Sequence, residues 1–247
     1  MTVRQLRRFP WIAILRPNTG AMLALLTVVS GCLLMFLWLA GEVTEGDTGV
    51  FDRTILLAFR NAADPTRPLG PIWLETLARD ITSLGSTTVL TIMTLFMIGL
   101  LLLLRARLEA LQVIGAMGGG SLLNTVLKHL FDRQRPDLLP HVVEAMNASF
   151  PSGHATMSTV AYLILGTALT RLSLARLVKV YILCGAVSLP LLIGLSRIYL
   201  GVHWPTDVLA GWCLGASWAL LWWMVLRWLR RDNSTAPKED STSPFRR

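Results

Sequence analysis

The sequence predicts an all-α polytopic membrane protein of six transmembrane helices with an external, interfacial helical segment. Three observations predict it. Over half of the 247 residues are hydrophobic and only 15% are charged, too little polar surface for a soluble domain of this length. The apolar residues gather into runs close to the roughly 20 residues needed to cross a bilayer. Lys and Arg fall in alternate connections between those runs, the bias that orients membrane helices with their basic loops inside.

The first run, Ala21–Ala40, follows a basic leader over residues 1–20 that carries Arg4, Arg7, Arg8 and Arg16. A secretory signal peptide opens similarly, but its apolar core is about 7–15 residues and closes on a small-residue cleavage site. Here the run is longer and passes through Trp38 and Leu39 into Gly41 and Glu42, which reads as a retained span. The next stretch, Gly41–Ser86, is too long for a plain turn. Val50–Arg60 mixes apolar and charged residues, and Ile72, Leu74, Leu77 and Ile81 recur at helical spacing within Pro71–Leu84. Such segments lie in the membrane interface, either as a helix capping the bundle or in admitting lipid. The remaining spans are Thr87–Leu104, Glu109–Leu130, Ala155–Thr170, Leu177–Ile198 and Asp207–Leu229, the fourth beginning at or just before His154.

The basic leader, the turn with Arg105 and Arg107, the turn with Arg171, Arg176 and Lys179, and the tail from Arg227 through Arg231 share one side of a six-span layout. That side is the cytoplasm, so both termini are inside. Gly41–Ser86, Asp132–Gly153 and Gly201–Thr206 are then external. In Gly115, Gly118, Gly119, Gly120, Gly211 and Gly215 we read sites of close helix approach, and in Trp222, Trp223 and Trp228 an interfacial aromatic belt. The spans form one domain over residues 21–231, and the polar stretch 232–247 reads as a disordered cytoplasmic tail. A net charge of +8 raises the question of nucleic acid, but the basic residues cap apolar runs and form no polar stripe. Cys32, Cys184 and Cys213 all lie within apolar runs, which argues against a disulfide or a cysteine-based metal site.

Ionisable residues at membrane spans are costly and therefore candidates for function. Three clusters of them converge on the external side. The first runs from Lys128 to Pro136 and includes Arg135. Seven residues apart, Lys128 and Arg135 would share one face of a continuous helix, with about 10 Å of rise between them, and Pro136 would stop that helix. Two such cations can snorkel to headgroups or hold a phosphoryl group. The second cluster is Pro151-Ser152-Gly153-His154. Ser152 suits an N-cap, Gly153 permits close backbone approach, and the helix start attracts an anion. His154 can move a proton near neutral pH, or be satisfied structurally. The third runs from Ser196 and Arg197 through His203 to Asp207. Asp207, four residues beyond His203, can reach one imidazole nitrogen and leave the other free to attack. A structural pair is the alternative. The neighbouring Lys and Arg residues are poor company for a metal, and too few other ligands converge, so no metal or cofactor is expected.

These three clusters resemble the tripartite signature of the type 2 phosphatidic acid phosphatase superfamily: K-x6-R-P, P-S-G-H and S-R-x5-H-x3-D. Lys128–Pro136, Pro151–His154 and Ser196–Asp207 match it without departure and in order. The resemblance implies that His203 is the nucleophile on phosphorus, that Asp207 orients it, and that His154 protonates the leaving oxygen and then activates water. It further implies that Lys128, Arg135, Ser152, Gly153 and Arg197 hold the phosphoryl oxygens. The expected function is hydrolysis of a lipid phosphate or diphosphate in a bacterial inner membrane, with a periplasmic active site. Partners are then the lipid phosphate and membrane lipids, not nucleic acid. A phosphotransferase using the same histidine is the enzymatic alternative, and a lipid transporter the non-catalytic one. The superfamily's soluble vanadate-dependent haloperoxidases differ from this chain by its six spans. Substrate choice is assigned to Gly41–Ser86 and the Asp137–Phe150 loop.

Overall fold

The structure is a computed structural model that describes residues 19–136, 148–170 and 175–234. The basic leader through residue 18, residues 137–147 of the Asp137–Phe150 loop, the turn at Arg171 and the tail from 235 lie outside the described residues. The described chain is helical: α1 (Thr19–Glu45), α2 (Gly49–Ala58), α3 (Ile72–Ser83), α4 (Thr87–Leu103), α5 (Arg107–Phe131), α6 (Gly153–Leu169), α7 (Arg176–Tyr199) and α8 (Pro205–Ser234). Each of the six predicted spans falls in a helix, and α2 and α3 occupy the predicted interfacial segment. Four helices, α1, α5, α7 and α8, are long and apolar enough to cross a membrane alone, and α3 with α4, bent by 43° at their junction, reaches that length and apolarity only as a pair. With 17 residues, α6 is shorter, and residues on all sides of it are buried. It packs on α5, α7 and α8. A helix covered all round is a core element, so α6 is the pillar of the bundle.

Local chemistry sets the helix starts of α4, α6 and α8. Ser86 accepts a hydrogen bond from Val89 N, and Ser152 accepts a longer one from Ala155 N, so each caps a helix. Pro205 occupies the first position of α8, where its missing N–H costs nothing. At the end of α5 the structure departs from expectation. The helix stops at Phe131, Asp132 turns left-handed with φ +39°, and residues 132–136 continue without helix. Lys128 and Arg135 therefore do not share a helix face. Arg135 reaches its place along an irregular strand of chain.

Glycines seat the helices as read from the sequence, with one exception. A Cβ at Gly211 would come within 2.9 Å of Ala155 Cβ, and one at Gly215 within 2.6 Å of Thr156 O, so α8 lies directly against α6. Gly115 and Gly119 accommodate the rings of Trp222 and Trp218, whereas Gly118 faces open space. This corrects the aromatic-belt reading for Trp222. Its ring fills a notch on α5 and meets Trp218 edge-on, 6.2 Å between centroids. Trp223 stacks under the Arg227 guanidinium, and the Trp228 side chain lies outside the described residues. Cys32, Cys184 and Cys213 are free thiols. Phe150, fully buried, contacts Phe36 of α1 and Phe131 of α5, which fixes the chain as it enters the Pro151–His154 turn.

Candidate active site

The end of α5, the start of α6 and the α7–α8 turn meet at one end of the bundle. Lys128, Arg135, Gly153, His154, Arg197 and His203 line a single cavity there of about 480 Å³. Ser152 and Asp207, the other two predicted residues, are fully buried behind it. All eight are thus brought together, from three stretches of chain. The Ser152 N–H donates to the Asp207 carbonyl at 3.0 Å, tying the first turn of α6 to the first turn of α8.

His203 is only 1% exposed, although its ring forms part of the cavity wall. Its Nδ1 lies 3.4 Å from Asp207 Oδ2, and its Nε2 lies 3.3 Å from Arg135 Nη1. A carboxylate facing Nδ1 holds the proton on that nitrogen and leaves the Nε2 lone pair available. Arg135 Nη1 also donates to Val202 O at 3.0 Å, so the guanidinium is anchored beside the ring. Burial depresses the His203 pKa well below its ordinary 6.5, and the charges of Arg197, Arg135, Lys128 and His154 lower it further. Both effects favour the neutral form of the ring. Lys128 Nζ donates to Ala148 O at 2.9 Å, and Arg197 Nη1 to Thr82 Oγ1 of α3 at 3.5 Å.

Sequence reasoning missed the residues behind Asp207. Arg133 donates through Nη1 to Asp207 Oδ1 at 2.6 Å and to Thr206 Oγ1 at 2.8 Å. Its Nη2 donates to Asp52 Oδ2 at 2.7 Å and to Thr48 Oγ1 at 2.9 Å. Asp52 is fully buried and also accepts from Thr206 N and Thr206 Oγ1. Trp204 N donates to Asp207 Oδ2 at 2.9 Å. Two carboxylates thus share one guanidinium, and each has further hydrogen bonds, the condition under which buried charge is tolerated. One signal was readable: Asp52 and Leu56, four apart, are the buried pair of α2, so a carboxylate occupies the apolar stripe. Arg60 was missed as well. Its buried guanidinium donates to Tyr199 O at 3.1 Å and packs against Gly201, whose φ of +74° makes the α7–α8 turn.

A family model described as the PAP2 superfamily matches residues 109–231. Phosphatidylglycerophosphatase B of Bacillus subtilis is 37% identical over 147 residues, 58% of this chain and 70% of that protein. The chain belongs to the PAP2 superfamily. A decaprenylphosphoryl-5-phosphoribose phosphatase of Mycobacterium tuberculosis is 38% identical over 129 residues, 50% of this chain and 64% of that protein. The fold agrees. The crystal structure of a transmembrane PAP2-type phosphatidylglycerolphosphate phosphatase from Bacillus subtilis matches with a TM-score of 0.71 at 28% identity, over 83% of this chain and 96% of that one. The PAP2 match begins in α5, so all three motifs fall inside it, while Asp52 and the whole of α4 fall outside.

Proposed function

We propose that this PAP2 protein is an integral membrane phosphatase that hydrolyses a lipid phosphate or diphosphate through a phosphohistidine intermediate. The observation that carries the reading is the His203 ring, with Nδ1 backed by Asp207 and Nε2 turned toward a cavity that Lys128, Arg135 and Arg197 line. In the first step the Nε2 lone pair attacks phosphorus opposite the departing ester oxygen. The P–N bond forms as the P–O bond breaks, and His154 in its protonated form gives its proton to the leaving oxygen. Asp207 stabilises the positive imidazole ring that results. His154, now neutral, takes a proton from water, the water oxygen attacks phosphorus, and the P–N electron pair returns to His203.

Phosphoryl transfer needs chiefly positioning and charge stabilisation. Three cations, with the Ser152 and Gly153 backbone at the start of α6, supply both. Among the described residues no three His, Cys, Asp or Glu side chains gather as a metal site requires. In this reading α1, α4, α5, α6, α7 and α8 all cross a bacterial inner membrane, both termini are cytoplasmic, and the cavity opens on the periplasmic side. The distribution of Lys and Arg supports that orientation. His203→Ala abolishes phosphate release while expression and membrane insertion persist. The unsubstituted protein, quenched under alkaline conditions during turnover of a phosphorus-labelled lipid, carries label on histidine. Wild-type-like turnover by the variant would overturn the assignment.

A further inference from the structure

The described residues that line the cavity run from Gly85 onward, so α2 and the loop after it do not border the substrate space. They border the α7–α8 turn instead. Leu56 of α2 is buried in one cluster with Ile198 of α7 and Val208 of α8. A buried charge stands on either side of that apolar contact: Asp52 four residues before Leu56, and Arg60 four residues after it. Both lie outside the PAP2 match at residues 109–231.

Each charge grips one end of the turn. Asp52 Oδ1 accepts from Thr206 N at 2.9 Å, and its Oδ2 accepts from Thr206 Oγ1 and Arg133 Nη2, both at 2.7 Å. At the other end, Arg60 Nη2 donates to Tyr199 O at 3.1 Å. The loop after α2 is closed by Leu69 N, which donates to Phe59 O at 2.8 Å, and Leu69 O accepts from Tyr199 Oη at 2.8 Å. The Phe59 ring meets the Tyr199 ring edge-on, 6.3 Å between centroids. His203 stands between the two grips, four residues after Tyr199 and three before Thr206. Apolar side chains could cover the turn as well, because well-packed apolar replacements of buried ionic groups are often neutral or stabilising. Apolar contact is non-directional, however. A hydrogen bond has a preferred length and angle, so it fixes a particular atom in place.

We infer that Asp52 and Arg60 are positioning residues for the His203 nucleophile, so that α2 and its loop act on the chemical step and not on the choice of lipid. The inference rests on the phosphatase reading. Its test uses the full chain in lipid nanodiscs, with phosphatidylglycerophosphate, phosphatidic acid and a polyprenyl phosphate as substrates and with orthovanadate and inorganic phosphate as inhibitors. Vanadate accepts a fifth ligand, here His203 Nε2, and so mimics the transition state. Inorganic phosphate forms no bond to nitrogen and reports the cations alone. Asp52→Asn retains the shape of the side chain and removes its charge, and Arg60→Met removes the donors. Each lowers kcat by about 10²-fold, the scale of a displacement of about 1 Å at the reacting atoms, with KM changed by less than about threefold. The factor is the same on every lipid that the parent turns over. The inhibition constant for vanadate rises by a similar factor, and that for phosphate moves by less than about threefold. A smaller folded fraction would lower kcat and move neither constant. If Asp52→Asn does not fold, Thr206→Val, isosteric and uncharged, removes the hydroxyl at the same contact and gives the same pattern with a loss of about tenfold. Near-parental kcat in the folded variants, a fall in kcat with both inhibition constants unmoved, or a loss that differs between lipids overturns the positioning role and leaves the phosphatase standing. No phosphate release by the parent from any of the three lipids overturns the phosphatase reading, and the inference falls with it.

Discussion

Asp207, behind the His203 ring, and Thr94, on α4, are held in opposite ways. Asp207 is fully buried and receives hydrogen bonds from Trp204 N and Arg133, with His203 Nδ1 alongside. Arg133 is in turn divided between Asp207, Asp52, Thr206 and Thr48. Thr94, nearly as enclosed, has a hydroxyl with no partner among the described residues. The comparison teaches where the molecule keeps its order. The wall behind the His203 ring is satisfied from within, which in the proposed mechanism is the condition for electrostatic preorganisation. The wall between α4 and α5 has no such network around the Thr94 hydroxyl.

The comparison is broken most severely by Asp207→Asn. The amide fits the same space, but its NH2 group can turn toward Nδ1 and favour the wrong imidazole tautomer. Phosphate release should fall by about 10³–10⁴-fold, as for the orienting carboxylate of a catalytic triad, with little change in KM. Steady-state kinetics on one lipid phosphate checks it, and a loss under tenfold would remove Asp207 from the orienting role.

Arg133→Met acts one layer further back. It strands Asp52 and Asp207 as buried carboxylates without their shared cation, which costs about 3–5 kcal/mol of stability. Thermal unfolding in detergent should show the loss. Adding Asp52→Leu to that variant removes one stranded charge and should recover part of the stability. The double variant should not recover activity, because Asp207 still lacks its anchor. If both changes add without any recovery, the two residues are not energetically coupled.

Why Arg133 went unread, when all eight motif residues were legible, has a physical answer. The motif residues are charges and small residues at helix ends, where membrane burial makes polar chemistry conspicuous. Arg133 falls among other charges just past α5, and its partner Asp52 is 81 residues earlier. Only the packing of α2 beside α8 joins them. The helical stripes of α4 to α8 were similarly legible from apolar runs, whereas the stop at Phe131 was not. It depends on Asp132 turning left-handed, a conformation that asparagine and aspartate tolerate but do not announce. Thr94 illustrates the remaining limit. Threonine in an apolar run is unremarkable, and an unused hydroxyl exists only once tertiary packing has enclosed it.

A milder test shifts the electrostatics of the satisfied wall without dismantling it. The positive charge of Arg135 is among the causes that depress the His203 pKa, after burial and Arg197. A depressed pKa means that the neutral, attacking form persists as pH falls below 6.5, and that activity drops only as pH passes through the lower value. In kcat/KM, which follows the free enzyme, the acid limb should therefore lie below 6.5 in the parent. Arg135→Gln should move that limb upward, toward 6.5, in whatever activity remains. The phosphate monoester has its own ionisation near pH 6, so parent and variant are compared on the same lipid. A limb that stays fixed would assign it to the substrate.

The smallest expected effect sharpens the comparison from the lipid side. Thr125 lines the same cleft as Thr94, but it is exposed, and its hydroxyl already donates to Ser121 O at 2.9 Å. Replacing it by valine removes a hydrogen bond that water can replace, so stability should change by no more than about 0.5 kcal/mol. The kcat/KM on one lipid phosphate should change by less than about twofold, well within the spread for a surface position. Thr94→Val, the same chemical change at a buried hydroxyl with no partner among the described residues, removes an unsatisfied oxygen and should leave stability unchanged or raise it by up to about 1 kcal/mol. The difference between the two threonines would then measure what an unsatisfied buried hydroxyl costs the fold. Equal effects at the two positions would mean that the Thr94 hydroxyl is no less satisfied in solution than that of Thr125.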